Sequence, residues 1–485
     1  MENIKRIIAG MIAVSAFMTA AVSCSEKKTK SVPEDLPGEE ELGEGKKIDI
    51  KGQSITWLAD YDLNPAKGEA RSAALAMFED YYGAKVKFVE TDADNKFTKL
   101  SSMILAGEEV DMFPYETKAF PNGVLNDQYD ALDPYFDVMG MEDGLWDGMK
   151  STIDTFTYNG SHYVVPYSLS DTLMLTYSRK QMEEEKLEDP YKLYTEGKWT
   201  WSKFTEMMET FVKNGEPEAA EDEDDEAEKA PAEPNNRRGI CGEFGQALLQ
   251  STGHTVVTYD GSKFTNNISD AEIVKAGTFL NDLRTKGLID YAYRDSLPSD
   301  GTVLFFAASD WALPKTNAEN QGREIMVVPF PKADSADKNY ITCNFNAKML
   351  VKNSKKGEAV AAYLKCERIA AEQAEYKDIA KQEALAVRMN ASGSVRSFIT
   401  EEQYDAMQSF LNTEKNTPVF DFSYGMGAKM FGNGDYTYET RGVMDNLTSL
   451  TLPSQNDEPV DIDALRASWS AVVDTEVARF NKNNT

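Results

Sequence analysis

The sequence predicts an α/β protein that contains more than one region of this class. Three observations lead to this prediction. The chain has 485 residues, of which 41% are apolar and 11% aromatic, and this is enough for two domains with their own cores. Strand-like and helix-like segments alternate in the order β-α-β-α-β between residues 53 and 113, and a second alternating region begins near Tyr167.

The first 23 residues have the pattern of an export signal. Lys5 and Arg6 precede an apolar run over residues 7–22 that is rich in small residues, as in a signal peptide rather than a membrane span. The run ends in AVSC, which is similar to the lipobox of bacterial lipoproteins, so we expect lipidation at Cys24. The alternative is an ordinary signal peptide with an incidental cysteine. Residues 24–47 are polar and contain Pro33 and Pro37, which predicts a flexible tether.

Five periodic segments make up the first α/β region. QSITWLA (53–59), KVKFVE (85–90) and VDMF (110–113) are typical of strands, whereas residues 69–82 and 97–106 carry apolar side chains at helical spacing. This order predicts a parallel sheet with helices on its faces. Ligands of such sheets bind beyond the carboxyl ends of the strands, which here lead into Asp60-Tyr61-Asp62 and Tyr115-Glu116.

The second region contains further strands and helices. GTVLFFAAS (301–309) predicts a buried strand that leads into Asp310-Trp311, and IMVVPF (325–330) predicts another. Residues 346–351 alternate weakly, residues 356–366 predict a helix, and the chain from there to residue 485 is predicted to be mainly helical. Residues 216–236 are almost entirely acidic residues, alanine and proline, which predicts a disordered surface insertion without the ligand spacing of a calcium loop.

The stretch GKWTWSKFTEMMETF (197–211) predicts the start of an amphipathic helix in this second region. With Thr200 as the N-cap, its hydroxyl would accept a backbone N–H of the first turn. Trp199 and Phe204 then have the spacing of a hydrophobic staple. Trp201, Phe204 and Met208 fall on one face. Packing therefore explains both tryptophans without a ligand.

Charge and composition exclude several classes of function. The net charge of −30 argues against nucleic acid and against electrostatic binding to anionic lipid. Cys241, Cys343 and Cys366 show no CxxC spacing and predict buried free thiols. His162 and His254 are the two histidines, and neither lies in a ligand spacing. We therefore expect no metal, no cofactor and no histidine-based catalytic triad.

Five stretches in a fixed order resemble the extracellular solute-binding proteins of ABC importers, the family that includes the maltodextrin-binding proteins. They are KLSSMILAGEEVDMF, NGSHYVVPYSLSDTLMLTYSRKQMEEEKLEDPYKLYTEGKWTWSKF, GTVLFFAASDW, VVPFPK and KNSKKGEAVAAYLK, and they cover most of residues 51–366. The acidic insertion departs from the family pattern. Beyond residue 366 the similarity is only to a helical C-terminal lobe.

The resemblance implies a two-lobed periplasmic-binding-protein-like fold, with each lobe a sheet flanked by helices and a ligand cleft at the hinge. It implies lobe one at residues 48–166 and 330–355, and lobe two at residues 167–329 and 356–485. It also implies a binding protein without enzymatic activity that delivers a solute to the permease of an ABC transporter. Together with the lipobox, it places a monomer on the outer face of a bacterial cytoplasmic membrane.

The strand ends and the resemblance together give nine candidate substrate-binding residues. A sugar presents an apolar face and a belt of hydroxyls, so its site needs aromatic rings beside carboxylates and amides. Trp311 matches the family position where an aromatic ring often stacks on a sugar. The candidates are Asp60, Tyr61, Tyr115, Glu116, Tyr167, Ser168, Asp171, Asp310 and Trp311.

Alternatives remain open at this stage for residues and function alike. Asp60 would also serve as a helix cap, Tyr167 as hinge packing and Glu116 as a solvated carboxylate. Weaker candidates for ligand contact are Phe345, Tyr424 and Phe431. We expect a carbohydrate, an oligosaccharide in particular, but rings beside carboxylates also suit a polyamine or a peptide. Two other classes, a glycoside hydrolase built on paired carboxylates and a sensor lipoprotein, use the same residue types.

Overall fold

The computed structural model describes residues 45–67, 69–216, 235–290, 292, 294–390, 393–431, 442–448 and 462–482. The predicted signal peptide, the lipidation site Cys24, most of the tether and most of the acidic insertion lie outside the described residues. No helix within the described ranges combines the length and the apolar character needed to cross a membrane.

The strands of the described residues follow each other in chain order as β1 (Ser54–Ala59), β2 (Lys85–Glu90), β3 (Met112–Pro114), β4 (Thr157–Tyr158), β5 (Ser161–His162), β6 (Ser168–Ser170), β7 (Met174–Ser178), β8 (Arg238–Gly242), β9 (Val257–Tyr259), β10 (Phe264–Asn266), β11 (Val303–Ala308), β12 (Ile325–Pro329), β13 (Asn339–Thr342), β14 (Asn344–Asn346), β15 (Lys348–Leu350), β16 (Arg388–Met389), β17 (Val395–Ser397) and β18 (Asn416–Val419).

The α-helices are α1 (Ala73–Asp80), α2 (Lys96–Ala106), α3 (Asn122–Leu125), α4 (Phe136–Met139), α5 (Lys150–Thr155), α6 (Arg179–Glu184), α7 (Pro190–Thr195), α8 (Trp201–Asn214), α9 (Phe244–Gln250), α10 (Ala271–Thr285), α11 (Leu313–Glu319), α12 (Gly357–Glu372), α13 (Ala374–Ala384), α14 (Glu401–Phe410), α15 (Ala428–Phe431), α16 (Val443–Thr448) and α17 (Ile462–Lys482). Short 3₁₀ helices span Thr117–Ala119, Asp133–Tyr135, Asp147–Met149, Asp310–Ala312 and Phe422–Gly425.

Lobe one is built on a four-stranded sheet in the order β15-β3-β1-β2. β1 pairs in parallel with both β2 and β3, as the alternating sequence pattern predicts, whereas β15 is antiparallel to β3. Helix α1 begins where the Ser72 hydroxyl accepts the N–H of Leu75, and α2 ends at Gly107, whose φ of 69° suits a residue without a side chain. The predicted α/β class is thus confirmed for this lobe.

Lobe two is built on a second four-stranded sheet in the order β12-β7-β11-β8. β8 and β11 are parallel, while β7 runs antiparallel to both β11 and β12. The inward side chains of this sheet pack against α8, where Trp199 and Phe204 meet edge to face with ring centroids 5.6 Å apart. The predicted staple is therefore confirmed. The predicted hydroxyl cap is wrong, since Thr200 is the N-cap but its side chain makes no capping hydrogen bond.

Two antiparallel strands, β6 and β14, join the lobes as a hinge. Asn346 pairs with Ser168 and Asn344 with Ser170, and backbone bonds extend the pairing at both ends from Tyr167 to Leu173. β14 leads directly into β15, which pairs with the end of β3. β6 leads into β7, whose first residue pairs with the last residue of β11. The carboxyl edges of the parallel strands in both lobes therefore lie next to the hinge.

The prediction that lobe one includes residues 330–355 is wrong for residues 330–342. Phe330 is buried in the core of lobe two, and the backbone of Lys332 bonds to Trp199 and Trp201 at the start of α8. β13 then pairs with β18. The chain crosses to lobe one only at β14, because backbone pairing holds the preceding segment on lobe two.

Helix α12 was expected in lobe two but packs on lobe one, against α1 and α4. Its residues Val360, Tyr363 and Leu364 are buried in the same core as Trp57 of β1. The apolar face of α12 covers this side of the lobe-one sheet. Strands β16, β17 and β18 also interrupt the region beyond residue 366 that was predicted to be mainly helical.

The lobes are in contact along an aromatic seam beside the hinge. We use this name for Phe120 and Phe156 of lobe one, Phe345 of the hinge, and Phe420 and Phe422, which follow β18. The ring centroids of Phe156 and Phe345 are 4.7 Å apart, those of Phe345 and Phe420 are 5.5 Å apart, and those of Phe120 and Phe422 are 5.8 Å apart. One buried apolar cluster therefore continues from lobe one into lobe two.

Candidate functional site

The sequence-predicted residues lie at the two sheet edges that adjoin the hinge. Asp60 and Glu116 follow the ends of the parallel strands β1 and β3 in lobe one. Asp310 follows the end of β11 in lobe two, and Asp171 lies between the hinge strand β6 and β7. The same hinge therefore adjoins both of the edges that these residues follow.

A buried lysine holds the two lobe-one carboxylates together. The Nζ of Lys96, the first residue of α2, lies 3.1 Å from Asp60 Oδ1 and also forms an ion pair with Glu116 Oε1. The Lys96 side chain is 1% exposed, against 18% for Asp60 and 23% for Glu116. Burial raises the pKa of Glu116 in spite of the lysine. The Lys96 ammonium compensates only one of the two carboxylates when both are ionised, and the positive charge of Lys118 also acts to lower the pKa of Glu116.

Two tyrosines stand beside these carboxylates as half-buried rings. Tyr61 meets Trp57 edge to face, and its backbone carbonyl accepts the indole N–H of Trp57 at 2.9 Å. Tyr115 stacks on Phe345 of the hinge, with ring centroids 4.4 Å apart and an angle of 25° between the planes. Burial raises the pKa of both phenols, so both remain neutral hydrogen-bonding groups at neutral pH. This edge therefore offers aromatic surface next to carboxylate oxygens.

The residues of the crossing segment are largely engaged by the hinge itself. Tyr167 is 9% exposed, and its hydroxyl accepts a hydrogen bond of 2.6 Å from the Nζ of buried Lys348. The Ser168 hydroxyl accepts the side-chain amide of Asn346 at 3.0 Å. These contacts favour the alternative in which Tyr167 packs the hinge. Asp171 is different, since it is half-buried with a left-handed φ of 47° that L-residues rarely adopt.

The lobe-two edge carries a carboxylate that is short of partners. The Oδ1 atom of Asp310 is buried and has no hydrogen-bond partner among the described residues. Burial, together with the charge of nearby Asp171, raises the pKa of Asp310 to about 7. Burial likewise raises the pKa of Asp171. Two carboxyl groups thus share a poorly solvated position, where a ligand hydroxyl or ammonium would supply the missing donor.

Trp311 and Glu243 complete the lobe-two edge. Trp311 is half-buried and rests on a small apolar cluster that includes Phe306 and Ala308 of β11. Glu243 directly follows β8, and burial raises its pKa. The register pairs Gly242 with Ala307, so Glu243 lies at the same edge as Asp310.

Sequence reasoning missed Lys96 and Glu243, although the sequence holds a signal for each. Lys96 lies four residues before Leu100 and therefore on the apolar face of α2, where a lysine needs a buried partner. Glu243 follows a strand end just as Asp60 does, but the strand RGICG was not recognised.

The described residues provide no metal centre. They contain no group of three or more His, Cys, Asp and Glu side chains that could hold a metal ion. Cys241, Cys343 and Cys366 are buried free thiols, as predicted, and burial raises their pKa values. His162 instead forms a contact of 2.8 Å with Asp133.

Two α/β lobes joined by a two-stranded hinge, with carboxylates and aromatic rings after the strand ends beside that hinge, are the architecture of a two-lobed binding protein. The sequence matches the family described as bacterial extracellular solute-binding protein over residues 73–380, so the chain belongs to this family. Its members are binding proteins, and the chain is accordingly a binding protein rather than an enzyme. The family predicted from the sequence is confirmed.

Solved structures share the fold at low sequence identity. The sugar-binding protein MalE from Xanthomonas citri is 14% identical, with a TM-score of 0.58 over 88% of this chain and 98% of that one. UgpB from Mycobacterium tuberculosis in complex with glycerophosphocholine is 15% identical, with a TM-score of 0.56 over 88% and 98%. The galacto-N-biose/lacto-N-biose I-binding protein from Bifidobacterium longum in complex with lacto-N-biose is 13% identical, with a TM-score of 0.56 over 88% and 97%. No curated protein sequence matches the chain.

Proposed function

We propose that this protein captures a carbohydrate, specifically an oligosaccharide, in the interlobe cleft and delivers it to the permease of an ABC transporter. The observation that carries the proposal is the half-buried indole of Trp311 next to Asp310 at the lobe-two edge. A sugar ring stacks on such an indole through its C–H face, while the carboxylate accepts its hydroxyls. Two of the similar structures are described as sugar-binding or contain a disaccharide, which agrees with this class.

The placement of aromatic rings and carboxylates on both lobes also agrees with closure of the lobes around a solute. Closure around a solute requires contacts that the open state lacks. Here Tyr115 with Glu116 belongs to lobe one, and Trp311 with Asp310 belongs to lobe two. A solute that touches both pairs stabilises the closed form, and the closed form is what the permease would recognise.

A binding screen with a matched variant tests the carbohydrate proposal. Thermal unfolding of the purified protein is measured with maltooligosaccharides, cellooligosaccharides, galactobiose, monosaccharides, spermidine and short peptides, because a ligand of the folded state raises the melting temperature in a concentration-dependent way. We expect a shift with an oligosaccharide that Trp311→Ala abolishes. Trp469→Ala, which removes a half-buried tryptophan from the C-terminal helix α17, should retain the shift. Released sugar products would contradict a binding protein without activity.

A cationic solute such as a polyamine is the second candidate, because Asp171 and Asp310 lie close together and the described residues place no ion-pair partner on either one. An ammonium group between them would relieve their repulsion. A melting shift confined to spermidine would select this candidate. The two-lobed fold and the binding function are the same for a carbohydrate and for a polyamine, and only the class of ligand differs.

We further propose that the mature protein is a monomer anchored by lipid on Cys24 to the outer face of the cytoplasmic membrane. The AVSC sequence and the positively charged start of the chain support the lipid anchor. Labelled palmitate should be incorporated by the wild type and lost in Cys24→Ser. Retention of the label in that variant would contradict lipidation at this position.

A further inference from the structure

Lys348 is a buried lysine at the junction between the hinge and lobe one. It is the first residue of β15, directly after the short connection from the hinge strand β14, and its side chain is 5% exposed. Its Nζ donates to the Tyr167 hydroxyl at 2.6 Å and lies 2.7 Å from Glu367 Oε1 of α12. Tyr167 directly precedes the other hinge strand, β6. One ammonium group therefore ties the lobe-one ends of both hinge strands to α12.

Three aromatic rings surround the same ammonium group. The Nζ of Lys348 lies 4.7 Å from the ring centroid of Tyr167, 5.6 Å from that of Tyr363 and 5.9 Å from that of Trp57. At these distances a cation is attracted to the face of a ring. Trp57 in turn meets Tyr61 edge to face with centroids 5.4 Å apart, and its indole N–H donates to the Tyr61 carbonyl. The ammonium is thus connected through Trp57 to a ring at the lobe-one edge.

The charge of Lys348 also acts on the Tyr61 phenol. Burial raises the pKa of this phenol, whereas the charge of Lys348 acts to lower it and the charge of Glu367 acts to raise it. Both charged groups therefore lie near the phenol, and a change in their position alters the surroundings of Tyr61.

Stability alone does not account for a charged pair at this position. Removing an ammonium group from water costs free energy, and apolar side chains of similar volume are often as stable in the place of a buried ion pair. The pair instead adds direction, because charge-assisted hydrogen bonds fix where their donors and acceptors stand. The contacts of Lys348 therefore indicate a role in placing Tyr167 and Glu367 relative to each other.

A second cation of α12 holds the same end of the hinge. Arg368 is 4% exposed, and its Nη1 donates to the backbone carbonyl of Tyr167 at 2.9 Å. Its Nε donates to the Leu145 carbonyl of lobe one at 2.8 Å. Tyr167 is thus fixed to lobe one both through its hydroxyl and through its backbone.

The lobe-two end of the hinge is held by fewer side chains. The N–H of Leu173 donates to the Thr342 carbonyl there at 2.9 Å, and Asn344 is exposed. Asp171 has the left-handed φ of 47°, and no lysine or arginine among the described residues forms an ion pair with it. Backbone strain of this kind is relieved when the chain turns, and hinges bend at a few residues that can absorb such a change. Bending is therefore easier at this end than at Tyr167.

We propose that Lys348 is a positioning residue for solute binding, which fixes the hinge to lobe one beside Tyr61 and leaves the bending of the hinge to its lobe-two end at Asp171 and Asn344. This inference rests on the proposed function and deepens it. A solute that contacts Tyr61 then keeps a constant place relative to the fixed end of the hinge, whatever the angle between the lobes.

Hydrogen exchange of the wild type without any solute tests which end is fixed. The N–H of Tyr167 donates to the Asn346 carbonyl at 2.9 Å, and that of Leu173 donates to the Thr342 carbonyl at the same distance, so two similar bonds mark the two ends. After correction for intrinsic rates, exchange at single-residue resolution should be about tenfold slower at Tyr167 than at Leu173. Equal rates, or faster exchange at Tyr167, overturn the inference.

An apolar replacement separates placement from stability. The triple variant Lys348→Met, Glu367→Met, Tyr167→Phe removes the ammonium group together with both of its hydrogen-bonding partners, so none of the three is left buried and unpaired. We expect a melting temperature equal to or above that of the wild type. Exchange of the amide at position 167 should nevertheless rise about tenfold. The dissociation constant of the solute should rise about 2- to 30-fold, as expected when a residue acts on a site through its neighbours.

A single conservative variant covers the case in which the triple variant melts below the wild type. Glu367→Gln keeps the shape of the side chain and removes its charge, so the protein remains folded while the ammonium loses its ionic partner. It should show the same two changes, in amide exchange at Tyr167 and in solute affinity, to a smaller extent. Lys352→Met is the matched control, because it breaks a different lobe-one ion pair, with Asp127 and Asp130, and should change neither quantity.

Solute affinity is measured by titration calorimetry with maltotriose, cellotriose, galactobiose and spermidine. The inference is overturned, and the proposed function stands, if the wild type binds one of these compounds and the variants at Lys348 and Glu367 bind it with unchanged affinity. Failure of the wild type to bind any of these compounds overturns both the proposed function and the role of Lys348 in solute binding.

Discussion

Replacing Gly425 with alanine should push the two lobes apart at the aromatic seam. Gly425 is buried where the segment after β18 meets lobe one. An added Cβ would lie 2.0 Å from the Phe120 carbonyl oxygen, 2.6 Å from the Thr117 carbonyl oxygen and 2.7 Å from Pro121 Cδ. Two of these atoms are backbone, so they cannot swing away as the end of a flexible side chain would.

The size of the effect follows from this geometry. Ordinary contacts of a Cβ begin near 3.4 Å, so the segment has to withdraw by about 1.4 Å. Overpacking of this kind costs about 1–3 kcal/mol. If the contact forms only when the lobes close, the cost falls on the closed form, and the dissociation constant of a solute that closes the lobes rises by roughly 5- to 150-fold.

Solute binding and unfolding are measured in parallel on the purified variant. Gly148→Ala is the matched control, because a Cβ there meets nothing closer than the Arg368 Nη2 atom at 3.6 Å. Weaker binding with an unchanged melting temperature of the free protein would show that the seam opens without solute. A lower melting temperature of the free protein would show that the seam persists without solute.

Small-angle X-ray scattering measures the opening of the aromatic seam as a change in the radius of gyration. Without solute, Gly425→Ala should have a radius of gyration equal to or larger than that of the wild type. The reasoning is refuted if Gly425→Ala binds solute and unfolds as Gly148→Ala does, because the approach to Phe120 would then carry no energetic consequence.

Two further substitutions probe the cleft edges. Lys96→Met leaves Asp60 and Glu116 without the ammonium group that pairs with them. Because both carboxylates are partly solvated, we expect the free energy of unfolding, measured by urea denaturation, to fall by about 2 kcal/mol. An unchanged urea midpoint would contradict the ion-pair argument. Burial raises the pKa of Asp310 to about 7, above its ordinary value of 3.8. Between about pH 4 and pH 7 the folded protein therefore keeps a proton on Asp310 that the unfolded chain has released. The free energy of unfolding consequently falls as the pH rises through this range. Asp310→Asn should therefore raise the melting temperature more at pH 8 than at pH 4, and equal shifts at both pH values would show that Asp310 titrates normally.

Local sequence patterns predicted the strands and helices around the start of each lobe, although they missed β8 and β16 to β18. Apolar alternation places the strands, and helical spacing with Gly107 at the end of α2 places that helix, because these features depend on residues close together in the chain. The staple of Trp199 and Phe204 is equally local. The rule for strand ends likewise brings Asp60 and Glu116 to one edge, since parallel strands align their carboxyl ends.

Contacts between distant segments were decided only by the tertiary structure. Lys96 becomes an ion-pair partner because β1 and β3 deliver carboxylates from 36 residues before and 20 residues after it in the sequence. Helix α12 belongs to lobe one because its apolar face fits the core around Trp57, whereas its helical periodicity is the same on either lobe. Gly425 is required by the backbone of Phe120, which lies some 300 residues earlier in the chain. The periodicity of a sequence specifies which face of a helix or strand is buried. The element that covers this face depends on how well the two surfaces pack, and these surfaces come from parts of the chain that are far apart in sequence.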